Sequence, residues 1–257
     1  MYRLPVSGAS VSLREMTGAE EILFAEGSKS DSELELAIVS RLAERLDDQN
    51  ISWEEFTPTD VDALLLAIRQ QILGETISGD SSCPAPACGA RVDISFNVGQ
   101  YLDHQRPSQP RDIEAADEPG WYRLQGSPAT FRLPNAGDLL AIRSQPDPAS
   151  ELVRRCVRPP DQPARLLRRI ERAMDQLAPS PTTDLKGTCP DCGHQFDLQF
   201  DPRAFALREL REQAAFIYED VHSIAAHYGW SEAEILSLPH QRRVRYAELI
   251  REERAVS

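Results

Sequence analysis

Four of the five cysteines fall in two close pairs, Cys83-x4-Cys88 and Cys189-x2-Cys192, and each pair ends in Cys-Gly. Thiolates at such spacing bind metal, and four of them fill the tetrahedral shell of a structural zinc ion. The glycine after each second cysteine permits the tight turn in which backbone N–H groups approach the sulfurs, as in a zinc knuckle. Aligned on those cysteines, CGARVDISFN (88–97) and CGHQFDLQFD (192–201) share Cys-Gly-x-x-apolar-Asp-apolar-x-Phe-Asn/Asp. This is an internal repeat of knuckle plus strand. Two such units facing each other complete one site, with Cys83, Cys88, Cys189 and Cys192 as ligands and structural Zn2+ as cofactor. The pairs stand about 100 residues apart, far for a compact ribbon, but the repeated strand offsets that. Two alternatives stay open. Cys189-Pro190-Asp191-Cys192 has the form of a redox dithiol, although no βαβ context surrounds it, and the four thiols could be a metal-free remnant. His194 reads as a surface residue and Cys156 as a packed, inert thiol.

Little else in the sequence points to chemistry. No P-loop, G-x-G-x-x-G, G-x-S-x-G or H-E-x-x-H occurs. A filled four-thiolate site leaves no open position for an activated water. His222 and His227 lie five apart and do not share a helix face. Neither an enzyme nor a small-molecule substrate is expected. The basic cluster Arg154, Arg155, Arg158, Arg165, Arg168, Arg169 and Arg172 reads as a solvated helix face. Its alternatives are contact with nucleic acid or with the acidic N-terminal third of another copy.

The elements that must position the cysteines follow from periodicity. Short strands are expected at 2–6 and 10–14, then a helix from Thr17 to Ala25 and a break at Gly27, Ser28 and Ser30. Ser32 and Glu35 have capping-box spacing, opening a helix with Leu34, Ile38, Leu42 and Leu46 on one face. A second helix from Thr59 carries Val61, Leu64, Leu65, Ile68 and Ile72, with Gly74 as its cap, and packs on the first. Alternation at Val92, Ile94, Phe96 and Val98 predicts a strand, and 103–120 a loop. Residues 121–124 and 129–133 predict a hairpin. Helices follow near 138–143 and 164–177, and Pro179, Pro181, Thr182 and Thr183 form a linker. Leu207, Leu210, Ala214, Ile217, Val221, Ile224 and Tyr228 form one seam along a helix of about 25 residues, ended by Gly229. Ser231 and Glu234 make a capping box before a final helix over 239–253.

The expected fold is α+β: mainly helical, with a small antiparallel zinc-ribbon-like module assembled from the two distant knuckles. Its divisions are an acidic N-terminal region (1–82), the ribbon-like module (83–98 and 189–200) with an insertion (99–188) inside 83–201, and a C-terminal long helix and helical hook (202–257). The chain of 257 residues has a net charge of −13, 41% apolar and 27% charged residues, which excludes collagenous and disordered classes. Residues 1–82 hold 16 acidic and 6 basic residues, so a polyanion is not expected to dock there. No segment has the ~18 apolar residues of a membrane span and no signal-peptide core opens the sequence. A cytoplasmic protein, or part of an assembly built there, is expected, with no membrane partner.

Several phrases together carry a resemblance: SLREMTGAEEILFAEG, FRLPNAGDLLAI, the two knuckles with their strands, and VHSIAAHYGWSEAEILSLPHQRRVRYAELI. They resemble the baseplate proteins of contractile-tailed phages and phage-tail-like injection systems, akin to the hub and hub-assembly proteins of T-even phages. The sharpest part is Tyr228-Gly229-Trp230-Ser231-Glu232 with Glu234-Ile235-Leu236, Arg242-Arg243 and Tyr246. The resemblance implies a non-enzymatic part in building the hub, with other baseplate or tail proteins as partners. Tyr228, Trp230, Ile235, Leu236, Arg242, Arg243 and Tyr246 are the candidate partner-binding residues. Trp230 reads equally as an interface anchor or a buried hinge residue. A zinc-ribbon nucleic-acid-binding or regulatory protein is the alternative, and a redox-controlled chaperone releasing zinc a third.

Overall fold

The computed structural model describes residues 1–27, 29–46, 52–104, 106–180 and 182–256. Strands β1 (Tyr2–Arg3) and β2 (Ser10–Leu13) lead into helices α1 (Gly18–Ala25) and α2 (Asp31–Leu42), and β3 (Ala43–Arg45) pairs back onto β2. A 3-10 turn at Trp53–Glu55 precedes α3 (Pro58–Leu73). A first hairpin, β4 (Thr76–Ser82) and β5 (Arg91–Asn97), runs straight into α4 (Val98–His104). Next come β6 (Ile113–Ala115), β7 (Trp121–Leu124), β8 (Thr130–Arg132), α5 (Ala136–Ile142), α6 (Pro148–Cys156), β9 (Val157–Arg158) and α7 (Ala164–Leu177). A second hairpin, β10 (Thr183–Thr188) and β11 (Gln195–Phe200), leads to α8 (Pro202–Ala214), α9 (Ile217–Tyr228), α10 (Glu232–Leu236) and α11 (His240–Val256). All described strand ladders are antiparallel. The mixed helical and antiparallel class is thus as expected.

The main core lies where α1, α2, α3 and α8 meet. Helix α3 begins because Thr57 accepts the Asp60 N–H at 3.3 Å and Pro58 occupies the first turn, and it stops at Gly74, whose φ of +81° suits only glycine. Val61, Leu64, Leu65 and Ile68 are all buried, each such side chain contributing about 1.5–3 kcal/mol of transfer free energy. A second core lies under the four-stranded sheet β6-β7-β8-β9, where Phe131 and Val157 meet Ile170, Ala173 and Leu177 of α7.

Several sequence expectations are corrected. The capping box of α2 is Ser30 with Glu33, two residues earlier than Ser32 and Glu35: the Ser30 N–H donates to Glu33 at 2.9 Å. Glu35 instead turns into the core. Leu34, Ile38 and Leu42 are buried as expected, but Leu46 is exposed, because the chain leaves the helix at Ala43 to pair with β2. Val98 opens α4 and is not part of the strand, and the loop 103–120 contains β6. Ser28 and Pro181 lie outside the described residues.

The long C-terminal helix is two helices. Its seam faces inward as the periodicity requires, with Val221 and Tyr228 half-buried and the other five residues buried, but the chain turns at Ala215 and Phe216. Leu207, Leu210 and Ala214 thereby reach the main core, while Ile224 packs with Ile235, Ala247 and Ile250 in a separate hook core. One straight helix could not serve both cores. Gly229, with φ +72°, ends α9, and Ser231 caps α10 by accepting the Glu234 N–H at 3.3 Å. The hook then folds back onto α1. A Cβ on Gly18 would meet Leu236 Cδ2 at 2.8 Å, and the His240 N–H donates to the Met16 carbonyl at 2.9 Å.

Candidate metal centre

Each cysteine pair occupies the turn of one of the two hairpins. Strand ends Ser82 and Arg91 are paired in the first, Thr188 and Gln195 in the second, so the intervening residues must reverse direction tightly. In both turns the first cysteine's N–H crosses to the far side: Cys83 to the Ala90 carbonyl at 2.8 Å, Cys189 to the His194 carbonyl at 2.9 Å. Gly89 (φ +63°) and Gly193 (φ +72°) supply the left-handed residue after the second cysteine. The sequence repeat is therefore a structural repeat.

The two turns meet. Cys83 Sγ lies 3.7 Å from Cys192 Sγ, Cys88 Sγ lies 3.8 Å from Cys189 Sγ, and all four sulfurs fall within 4.8 Å of one another. A disulfide requires about 2.05 Å, so the cysteines are free thiols. A tetrahedron with metal–sulfur bonds of ~2.3 Å has edges of ~3.8 Å, and the two cross-hairpin distances match it. Cys83 and Cys189 are buried, Cys88 is half-buried and Cys192 exposed. Val92 and Phe196, equivalent in the repeat, close the apolar side of the cluster.

Backbone amides are aimed at the sulfurs. The Cys192 N–H, opposed by burial and helped by the Asp191 N–H, draws the Cys189 thiol down to about 7. The Ala85 N–H acts likewise on Cys83, but burial and the neighbouring thiols push it up to about 12. Cys88, despite the Ala90 N–H, is also raised by its neighbours. Four thiols crowded together resist shared ionisation unless a cation lies between them. The donor set, its spacing and its amides suit a thiophilic metal ion.

The repeat extends below the cysteines. Phe96 and Phe200, equivalent in the two strands, meet edge to face at 5.0 Å, and both contact Tyr101 of α4, at 5.5 and 5.3 Å. The Asn/Asp that closes each repeat caps the next helix: Asn97 accepts the Gln100 N–H at 3.1 Å, and Asp201 accepts the Ala204 N–H at 2.9 Å. Sequence patterning held these two positions without assigning their role, which for Asp201 the following Pro202, in the first turn of α8, could have signalled. It missed β4 and β10 altogether, because TISGDSS and TDLKGT are polar and glycine-containing. Gly187 in β10 is needed where it stands, since a Cβ would lie 2.8 Å from the Phe196 ring.

The candidate partner-binding residues divide. Tyr228, Trp230 and Tyr246 form an aromatic cluster, with Trp230 stacked on Tyr228 at 5.3 Å and edge-on to Tyr246 at 5.1 Å. All three are half-buried. Ile235 is buried in the hook core, and Leu236 is half-buried against Gly18. Arg243 is buried and held by Glu21 and Asp220, whereas Arg242 is exposed beside the Tyr246 ring. Phe216 and Tyr218, exposed at the joint between α8 and α9, were not anticipated.

His194, His222 and His227 are exposed, as the sequence suggested for His194. Cys156 is buried, and burial pushes its thiol up to about 12, consistent with an inert packed cysteine. Within the basic cluster, Arg154 and Arg155 bind Glu151, and Arg158 binds Glu118 at 2.6 Å while lying over the Trp121 ring. Among the described residues no helix is long and apolar enough to cross a membrane.

Fold and site define a mixed helical and antiparallel protein whose two distant cysteine turns meet in one possible metal site. Residues 1–158, more than half of the chain, match the family described as T4 bacteriophage base plate protein, and residues 210–255 match a family of unknown function, DUF6760. The chain belongs to the T4 bacteriophage base plate protein family. No curated protein and no solved structure matches it.

Proposed function

We propose that this base plate protein is a non-enzymatic structural or assembly component of the hub of a contractile tail or phage-tail-like injection system, built around a structural zinc ion. The observation that carries the reading is the cluster of four sulfurs within 4.8 Å of one another in a chain of this family. Cys83, Cys88, Cys189 and Cys192 would hold the zinc. Four thiolates occupy every position of a tetrahedral ion, which suits a staple and leaves no place for a bound water or substrate. The staple would make a zinc-ribbon-like module of the two hairpins and tie both ends of residues 99–188, an insertion between the regions 1–82 and 202–257.

The hook is the proposed contact with other baseplate or tail proteins. Arg242 and the open edges of Tyr228, Trp230 and Tyr246 form its face. Leu236, Ile235 and Arg243 shape it from within. Aromatic anchors beside an arginine are the side chains in which binding energy concentrates. The test is co-purification from a bacterium expressing the whole tail gene cluster, using tagged wild type, Trp230→Ala and the surface variant Arg242→Glu. Capture of baseplate or tail proteins by wild type, and its loss in both folded variants, is expected. Capture unchanged in both would remove the hook as the contact.

A further inference from the structure

Helix α7 separates its side chains by chemistry. Ile170, Ala173 and Leu177 are buried in the core beneath the four-stranded sheet, and Leu166, Leu167 and Met174 pack against it. Arg165, Arg168, Arg169 and Arg172 recur at steps of three, one and three, which places them within one arc of about 100° on a helix of 3.6 residues per turn. All four are exposed, and none has an ion pair or hydrogen bond among the described residues. The stripe runs about 10 Å along the helix, within one Debye length at ~0.1 M salt. Arg154, Arg155 and Arg158, by contrast, are engaged by acids of their own chain.

The partner of this stripe can be narrowed by chemistry. The apolar side of α7 is already covered, so the helix is not a membrane-surface amphipath with an apolar face to bury. Residues 164–177 contain no aromatic side chain on which bases could stack. The complementary charge lies in the same sequence: residues 1–82 hold 16 acidic and 6 basic residues, and Glu20, Glu21, Glu35, Asp60 and Asp62 among the acids are buried and take no part. Their exposed acids include Glu44 on β3 and Glu54 and Glu55 at the 3-10 turn. Among the described residues none of these acids makes an ion pair with the α7 arginines.

We propose that the arginine face of α7 docks on the acidic N-terminal third of a second copy of this chain. The contact is head-to-tail and electrostatic, so each pair leaves one arginine face and one acidic surface free for further copies. It is separate from the hook contact, and it is tested on the purified chain alone.

Sedimentation velocity at ~50 mM and ~300 mM salt reads it directly. Expected are concentration-dependent association at the lower salt, weaker association at the higher, and at least about ten-fold weaker association in R165E/R168E/R169E/R172E. An E44R/E54R/E55R variant should show the same loss from the opposite surface. It also stands in should the α7 variant fail to fold. Mixing the two defective variants should restore association, because one supplies an intact arginine face and the other an intact acidic surface. Wild type that stays monomeric at ~50 mM salt would overturn the proposal. So would association unchanged in both variants, or a monomer that binds a duplex oligonucleotide through the four arginines.

Discussion

Glu21 on α1 and Arg243 on α11, 222 positions apart, form a fully buried pair in which two guanidinium nitrogens donate to the two carboxylate oxygens. Asp220 approaches the same guanidinium at 3.5 Å, and the His240 Nδ1–H donates to Glu21 at 3.0 Å. The pair joins the two separately matched stretches of the chain, residues 1–158 and 210–255. It is the polar bolt between the hook and the rest of the fold.

Glu21→Gln should therefore destabilise the chain by about 3–5 kcal/mol, since it leaves the buried Arg243 with Asp220, at 3.5 Å and shared with Arg251, as its counter-charge. Chemical denaturation followed by the tryptophan emission of the hook reads this. A change below about 0.5 kcal/mol, the size of an ordinary surface substitution, would contradict the bolt.

Acid should loosen the same joint. Burial alone would raise Glu21, but hydrogen bonds from His240 and Arg243 hold it below the usual carboxylate range. Glu20, bonded to Arg14, and Asp138, bonded to Arg132, are lowered against burial in the same way. A lowered folded pKa contributes stability above the unfolded value, near 4–4.5, and that stability is lost as pH falls through the folded value. Unfolding midpoints should thus drop steeply below about pH 4.5, and by less in Glu21→Gln. An identical acid profile in the variant would contradict the assignment.

Glu35 works with the opposite sign. Burial, with the charge of Asp62 next to it, pushes Glu35 up to about 10, and burial raises Asp62 to about 6. One Glu35 oxygen has no hydrogen-bond partner. Groups raised on folding stabilise below their unfolded pKa and lose that contribution as pH rises, so this pair weakens the fold progressively above about pH 4.5. Glu35→Gln should raise the unfolding free energy, by about 1–3 kcal/mol at pH 8 and by less at pH 5. A uniform gain at both values, or a loss at pH 8, would count against it.

The repeat predicts paired effects. Asn97→Ala and Asp201→Ala each remove a cap from the helix that follows a cysteine hairpin, at about 1 kcal/mol apiece. Gly187→Ala drives a methyl into Phe196 and should cost about 1–3 kcal/mol while speeding metal exchange. If thermal unfolding and exchange rates are unchanged in all three, the hairpins do not depend on these contacts.

What was legible in the sequence was what short-range chemistry decides. The cysteine repeat located the site because ligand spacing and strand alternation are local patterns. Helix α7 was bounded correctly by its apolar period, and the Ser231–Glu234 cap by its spacing. Strands β4 and β10 were hidden because their stability comes from pairing with β5 and β11, not from their own residues. The turn at Ala215 was hidden because the apolar seam continues in register across it. Arg243 was placed among the partner-binding residues and not in the interior because the acid that buries with it, Glu21, lies near the other end of the chain.

The most direct test of the account is the metal content of protein purified without added zinc or chelator, read by mass spectrometry of the native chain and by elemental analysis. One zinc per chain is expected, lost together with the ordered hairpins in Cys83→Ser or Cys189→Ser. Protein with no bound metal, its four thiols all reacting freely and its fold unchanged by those substitutions, would contradict it.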